Sequence, residues 1–358
     1  MSELLTAADE AAALEDLHRK GCTDGLPVVI PTPERVSRMV LASGQETDMV
    51  LGTMGPGQGV ATMEKVAIAA VMAGCLPDYM PIVVAAVKAV IDPLFDLTEM
   101  QATTHCTAPL IIVNGPARHT CGPVASGYGA LGPGHRANAS IGRALRLAMI
   151  NIGGGRPGSS DMALLGHPGK FTYCLAEDEE NSPFPPMHVD LGYSEDDSVV
   201  TVIGAEAPHS VIFSADGDDT EAYDYLLNVL AIGIANAATN NATLTSGSAT
   251  VVLNPDHANL LSGAGLSRAD IAGELHQRCR ISHQELQRLV PAFAGSADAE
   301  GDRYAFTGPE QLLVLMAGGS GLYSMVMPSW CAGAHKNAYS SVRVESEYFC
   351  EVPGLAEN

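Results

Sequence analysis

Two pairs of side chains able to do acid–base and nucleophilic chemistry bracket one apolar run. Thr103-Thr-His-Cys106 leads into Ala108-Pro-Leu-Ile-Ile-Val-Asn114, and His119 and Cys121 follow it. An imidazole titrates near neutral pH and a thiolate is a strong nucleophile. His105 therefore reads as a general base, and Cys106 as a nucleophile beside it. The plain alternative for each is a satisfied core histidine and a small buried thiol. Four His and Cys residues also raise a metal ion, zinc or iron. An extended run of seven residues would hold the two pairs roughly 20 Å apart, and the short Cys-x2-Cys or His-x3-His spacings of firm sites are absent. No organic cofactor is favoured.

After the run comes a loop dense in Gly and Pro, from Gly115 to Gly134, and then His135-Arg-Ala-Asn-Ala-Ser140 opens a helix. A long ordered loop in a globular chain is usually functional. A helix start offers unsatisfied N–H groups and a positive dipole end, and so holds anions. Arg136 adds a guanidinium fork for a carboxylate or phosphate. Asn138 and Ser140 are substrate-binding candidates or plain caps. Arg143 is a further binding candidate, with a surface ion pair as its alternative. The glycines match neither a P-loop nor a dinucleotide fingerprint, so hydride transfer is disfavoured against lyase or hydrolase chemistry.

Other candidates lie apart in sequence. Lys65 opens an apolar helix and would neutralise a carboxylate or move a proton. Asp24 stands in a Thr-Asp-Gly-Leu-Pro turn. Gly166-His-Pro-Gly-Lys170 is followed by Cys174 and by Glu177 in an acidic run. His167, Lys170, Cys174 and Glu177 read as one cleft, with turn and strand roles as the alternative. Lys170 is a binding candidate, Glu177 a proton carrier and Cys174 a second nucleophile.

The elements that must position these residues alternate between strand-like runs (108–114, 199–203, 250–253, 312–316 and 324–327) and helical patterns. The Thr32-Pro-Glu start, the helices near 63–73 and 81–91, the helix from Ser140 to Asn151 and the helix at 221–238 are examples. That pattern predicts an α/β fold with mixed or mostly parallel sheets and flanking helices. The halves divide near residue 190, giving an N-terminal lobe of 1–190 with the Gly-rich loop and a C-terminal lobe of 191–358. Each half reads strand, Gly-rich turn, helix, strand, which allows two related lobes without establishing them.

The formal net charge of −22 over 358 residues excludes the basic face that nucleic acid needs and argues against anionic membranes. Eight cysteines with no Cys-x2-Cys, and no secretory start, point to the cytoplasm. Helices 63–73 and 81–91 are apolar on more than one face, which predicts a homo-oligomer.

Several of these stretches together resemble a known family. They are Thr23 to Thr32, Glu64 to Ile68, Thr103 to His105, Val113 to Pro116, Gly132 to Arg143, Gly166 to Lys170 and Cys174 to Glu180. The family is associated with proteins bearing a Sec/Cys-Gly-Ser-Cys (UGSC) motif, sometimes as a fused partner, and its reaction is uncharacterised. The resemblance spans most of the chain and implies weight on Lys65, His105, Arg136, Asn138, Lys170 and Glu177. The chain has no Cys-Gly-Ser-Cys, and carries Cys22 where the family pattern has Trp and Cys106 where it has Pro. No role for either cysteine comes from the resemblance.

The expectation is a cytoplasmic enzyme of lyase or hydrolase type acting on a small anionic metabolite. Arg136 and the 138–140 helix start hold the anion, His105 with Lys65 or Glu177 moves protons, and Cys106 or Cys174 attacks. The rivals are a non-catalytic subunit or binding protein for a thiol or redox partner, and a metal-dependent lyase.

Overall fold

The computed structural model describes residues 2–215, 219–295 and 301–345; Cys350 lies outside them. Two four-stranded mixed sheets carry the fold. The first runs in the order Ser340–Arg343, Val199–Ala205, Ala108–Asn114, Cys174–Ala176, and the second Leu312–Met316, Ala249–Leu253, Tyr323–Met327, His209–Ile212. In each sheet one inner strand has a parallel and an antiparallel neighbour, and the other inner strand has two antiparallel ones: 108–114 runs parallel to 174–176 and antiparallel to 199–205, and 249–253 runs parallel to 312–316 and antiparallel to 323–327. The α/β expectation with mixed sheets and flanking helices holds.

Side chains alternate across a strand, and here both faces are apolar. From the first sheet, Ile111, Val113, Val200 and Val202 join a core with the helices Met63–Ala73, Met80–Ile91 and Arg136–Asn151. Leu110, Ile112, Ile203 and Ala205 point the other way and meet Val252, Leu313, Leu315 and Met327 of the second sheet. The opposite face of the second sheet, with Val251, Leu253 and Val314, packs on Ala222–Ile234 and Arg268–Arg278. The order of layers is helices, sheet, sheet, helices. Continuous apolar strands are what burial on both faces requires.

The division expected near residue 190 does not separate the sheets. Val199–Ala205 and Ser340–Arg343 belong to the first sheet, because Val199–Ala205 pairs along its whole length with Ala108–Asn114 and in turn accepts Ser340–Arg343. The two sheets also exchange edges. The strand after Val199–Ala205 crosses to become the outer strand of the second sheet, and the strand after Tyr323–Met327 becomes the outer strand of the first. At the crossover Ala205 bridges Ser329, and the Glu206 N–H donates to the Pro328 carbonyl.

The Met63–Ala73 helix is enclosed on most sides. It packs against Pro33–Ser43, Met80–Ile91 and Arg136–Asn151, with Val66, Ala67, Ala69 and Ala70 buried. Small side chains allow that close approach. Thr62 caps its start and Gly74, at φ 83°, ends it. Its two-faced apolarity is consumed within one chain, so it gives no argument for a partner copy. No helix among the described residues is long and apolar enough to cross a membrane.

Candidate active site

His105 and Cys106 lie in a bend just before the Ala108–Asn114 strand. They open into a cleft of about 500 Å3 shared with Leu164, Asn240, Trp330 and Cys331. The cleft sits where the sheets exchange edges, so both halves line it. His105 Nε2 is 2.8 Å from Glu206 Oε1, and its Nδ1 is 2.9 Å from Asn240 Nδ2. With the Asn240 amide donating, Nδ1 is the accepting nitrogen and Nε2–H donates to the Glu206 carboxylate. The ring is fixed from both sides, and neither nitrogen bonds Cys106.

The Cys106 sulfur has other partners. It accepts the backbone N–H groups of Gly166 at 3.0 Å and Leu165 at 3.4 Å. Gly166 adopts φ 78°, a left-handed conformation suited to Gly, which turns its N–H onto the sulfur. Lys170, one turn later in the Pro168–Lys170 3-10 helix, brings its ammonium within Coulombic reach of that sulfur. Lys170 is itself held by Asp161 at 2.8 Å. Burial pulls the Lys170 ammonium below its usual range, and the Asp161 carboxylate opposes this. Two backbone N–H groups thus converge on the one sulfur.

His167 stands behind this loop. Its Nδ1 accepts the Gly169 N–H at 3.1 Å and its ring packs edge-on against Tyr173. Burial pushes the imidazole down to about 4, so it is neutral and shapes the loop. Tyr173 extends to the crossover, where its hydroxyl donates to the Glu206 carbonyl at 2.9 Å.

The remaining candidates fall elsewhere. The helix expected from Ser140 begins at Arg136, with His135 as its N-cap. Asn138 and Ser140 are therefore inside it and buried. Asn138 spans the Gly-Pro loop, accepting from Ala125 N and donating to the Ala125, Ala130 and Cys174 carbonyls. Ser140 donates back to the Arg136 carbonyl. Neither presents a group to a ligand. Arg136 donates to the Gly74 carbonyl at 3.1 and 3.3 Å and lines a different cavity. Arg143 and Asp24 form a two-point pair at 2.7 and 2.9 Å that pins the N-terminal turn. Lys65 donates to the Val60 carbonyl at 2.8 Å, under the N-terminal segment and away from His105.

Glu177 and Cys174 are also displaced from the cleft. Glu177 is fully buried, accepting from Asn114, from the Met187 N–H and from Arg268 at 2.9 Å. Burial raises its carboxyl and Arg268 opposes this. Glu177 with Glu179, Arg118 and Arg268 ties the first sheet to a helix of the second half. Cys174 is a core residue whose thiol is pushed far up by burial. Cys75 and Cys121 are pushed up to about 12 for the same reason. Among the seven described cysteines, only Cys22 and Cys106 are partly exposed.

His119 sits beyond the far end of the strand, 3.0 Å from Glu180. Among the described residues no group of three or more His, Cys, Asp and Glu side chains converges as metal ligands. Glu206, Asn240, Trp330 and Cys331 were missed from sequence. Glu206 closes an apolar strand and Trp330-Cys331 holds the single Trp of the chain, both usable signals. Asn240 sits in a polar stretch with none. No protein-family model matches the chain, and no curated protein shows significant similarity to it.

Proposed function

We propose that the cleft at the sheet crossover is the active site of a small-molecule enzyme that uses Cys106 as its nucleophile. The observation that carries this reading is the Cys106 sulfur, partly exposed to the cleft and accepting two backbone N–H groups. Hydrolase chemistry fits better than lyase chemistry. A covalent acyl intermediate needs a nucleophile on the cleft wall, and the partly exposed Cys106 sulfur supplies one. In the hydrolytic course the sulfur bonds to the carbonyl carbon of an activated acyl substrate and the leaving group departs. Water then cleaves the thioester, returning the thiol and a carboxylic acid. His105 Nδ1 takes a proton from that water once Asn240 yields its place. The cleft is lined largely by Leu164, Leu165, Leu244 and Trp330, so the acyl body is small and apolar. Arg136 lines another cavity, so the expected anionic group has no holder in this cleft. Seven described cysteines without a disulfide support a reducing compartment, which we take to be the cytoplasm.

The test is acylation by small p-nitrophenyl esters, read by peptide mass spectrometry. A thioester on Cys106 that disappears with time, and never forms in Cys106→Ser, is expected. Ester hydrolysis that persists unchanged in Cys106→Ser removes the proposal. Cys331 lines the same cleft, which favours a second reading, a dithiol that docks a redox partner. That reading requires a Cys106–Cys331 disulfide after treatment with a small disulfide oxidant.

A further inference from the structure

A second cavity lies on the helical side of the first sheet and concerns charge instead of nucleophilicity. It measures about 200 Å3 and is lined by Arg35, Arg38 and Arg136 over a floor that includes Met39, Val71 and Cys75. No Asp or Glu lines it, in a chain of net charge −22. Elsewhere most cations are matched: Lys88 with Glu345, Arg143 with Asp24, Arg278 with Asp224 and Glu274, and Arg343 with Asp197. At this cavity the matching fails. The Arg38 side chain makes no ion pair or hydrogen bond among the described residues. Arg136 spends Nε and Nη2 on the Gly74 carbonyl and meets no carboxylate among them. Arg35 reaches only Glu10, at 3.3 Å, in an exposed pair, and the Ile30 carbonyl.

The three arginines are placed by rigid elements. Arg35 and Arg38 are three residues apart on the Pro33–Ser43 helix and so share a face. Arg136 is the first residue of the Arg136–Asn151 helix, whose N-cap His135 makes no side-chain cap. The positive end of that helix adds to the guanidinium charge. Gly74, which ends the Met63–Ala73 helix, orients Arg136 through its carbonyl. Asp78 is nearby in sequence but follows the lining residue Pro77 and does not itself line the cavity. Cys75 in the floor stays a neutral thiol, since burial pushes it up to about 12.

We infer that this cavity binds a phosphoryl group. A carboxylate satisfies one guanidinium fork, whereas the oxygens of a phosphate accept from several forks at once. The cavity holds one such group with a short apolar substituent against Met39 and Val71. Free phosphate and a small phosphate monoester share this chemistry. The inference is independent of Cys106, because the two cavities share no lining residue.

The experiment is calorimetric titration of the full chain with inorganic phosphate and, separately, methyl phosphate. Ionic strength is held constant with chloride, and acetate serves as the carboxylate control. Phosphate should bind more tightly than acetate. Arg38→Ala should weaken it about tenfold and Arg38→Glu should abolish it, each with an unchanged melting temperature because Arg38 is exposed. Arg136→Lys, which keeps the charge and loses the tie to the Gly74 carbonyl, should weaken it less. Cys106→Ser should bind phosphate normally. Tighter binding of methyl phosphate assigns the site to an ester, and equal binding assigns it to the free ion. Phosphate heats no different from chloride, or an affinity unmoved by Arg38→Glu, would overturn the inference.

Discussion

In the first sheet the central strand Ala108–Asn114 is entered from His105 and Cys106. In the second, the equivalent strand Ala249–Leu253 is entered from Ser246, Gly247 and Ser248. The first strand ends in an asparagine and the second is followed directly by one. The Asn114 amide donates to the Glu177 and Glu179 carboxylates, whereas the Asn254 amide donates to the Gly321 and Tyr323 carbonyls and accepts the His257 N–H. The parallel neighbour is followed by the charged run Glu177 to Glu180 in one half and by Gly318-Gly-Ser-Gly321 in the other. One topology thus presents the His105 and Cys106 side chains of the candidate cleft on one side and walls that cleft from the other. The second half supplies the wall of the cleft, Asn240, Trp330 and Cys331, and the Arg268 that neutralises Glu177. The difference teaches that the site depends on the exchange of edge strands, since only that crossover brings Glu206 beside residues 328–331.

Removing the tie between the halves should have the largest effect. Arg268→Ala leaves the fully buried Glu177 without its guanidinium and should cost about 3–5 kcal/mol in denaturant unfolding. Arg280→Ala, from the exposed Arg280–Asp302 pair within the second half, should cost less than about 0.5 kcal/mol. Equal costs would show that the halves are not joined through Glu177. Next comes Gly166→Ala. At φ 78° a Cβ is strained and meets the Lys170 side chain at 3.3 Å, so stability should fall by about 1–2 kcal/mol. Cys106 alkylation should slow as well, since the Gly166 N–H leaves the sulfur. Asn240→Ala tests the support from the second half. It removes one partner of His105 and should cost about 1 kcal/mol, with faster acyl transfer if Nδ1 is the working base.

The last comparison is with pH. His167 in the first half is held down to about 4 by burial, below the ordinary value near 6.5. The folded state therefore keeps it neutral where the unfolded chain takes up a proton. Its contribution to stability is complete above pH 6.5 and is lost as pH falls toward 4. His257, buried in the second half, shifts the same way. His167→Gln should flatten only part of the decline in unfolding free energy between pH 7 and 4.5. A slope identical to wild type would place His167 outside the titrating set.

Much of the frame was legible in the sequence. The strands at 108–114, 199–203 and 312–316 stand out because burial on both faces makes them continuously apolar. The domain boundary was not legible, because strand exchange leaves no mark in composition. Part of the candidate cleft was readable as distinctive sequence: Thr103 to Cys106 and Gly166 to Lys170 meet at the Cys106 sulfur. The anion-holding reading of Asn138 and Ser140 failed for a physical reason. Polar residues near a helix start look like caps, yet the helix begins at Arg136 and turns both inward to bond backbone. Glu177 looked catalytic because an acid in a long motif suggests chemistry, but its bonds are structural. Asn240 reaches His105 across 135 residues, a contact that only tertiary structure creates.

The central claim is that Cys106 is the reactive thiol of the chain, and native alkylation tests it most directly. The folded protein is treated with limiting iodoacetamide at pH 7, quenched over time and mapped by peptide mass spectrometry. Two described cysteines are partly exposed, Cys22 and Cys106, so exposure alone predicts similar rates. The N–H groups of Leu165 and Gly166 and the Lys170 ammonium should make Cys106 react about tenfold or more faster than Cys22, with Cys75, Cys121, Cys174 and Cys279 unlabelled. Cys22 labelled as fast as Cys106, or Cys106 left unlabelled, would contradict the account.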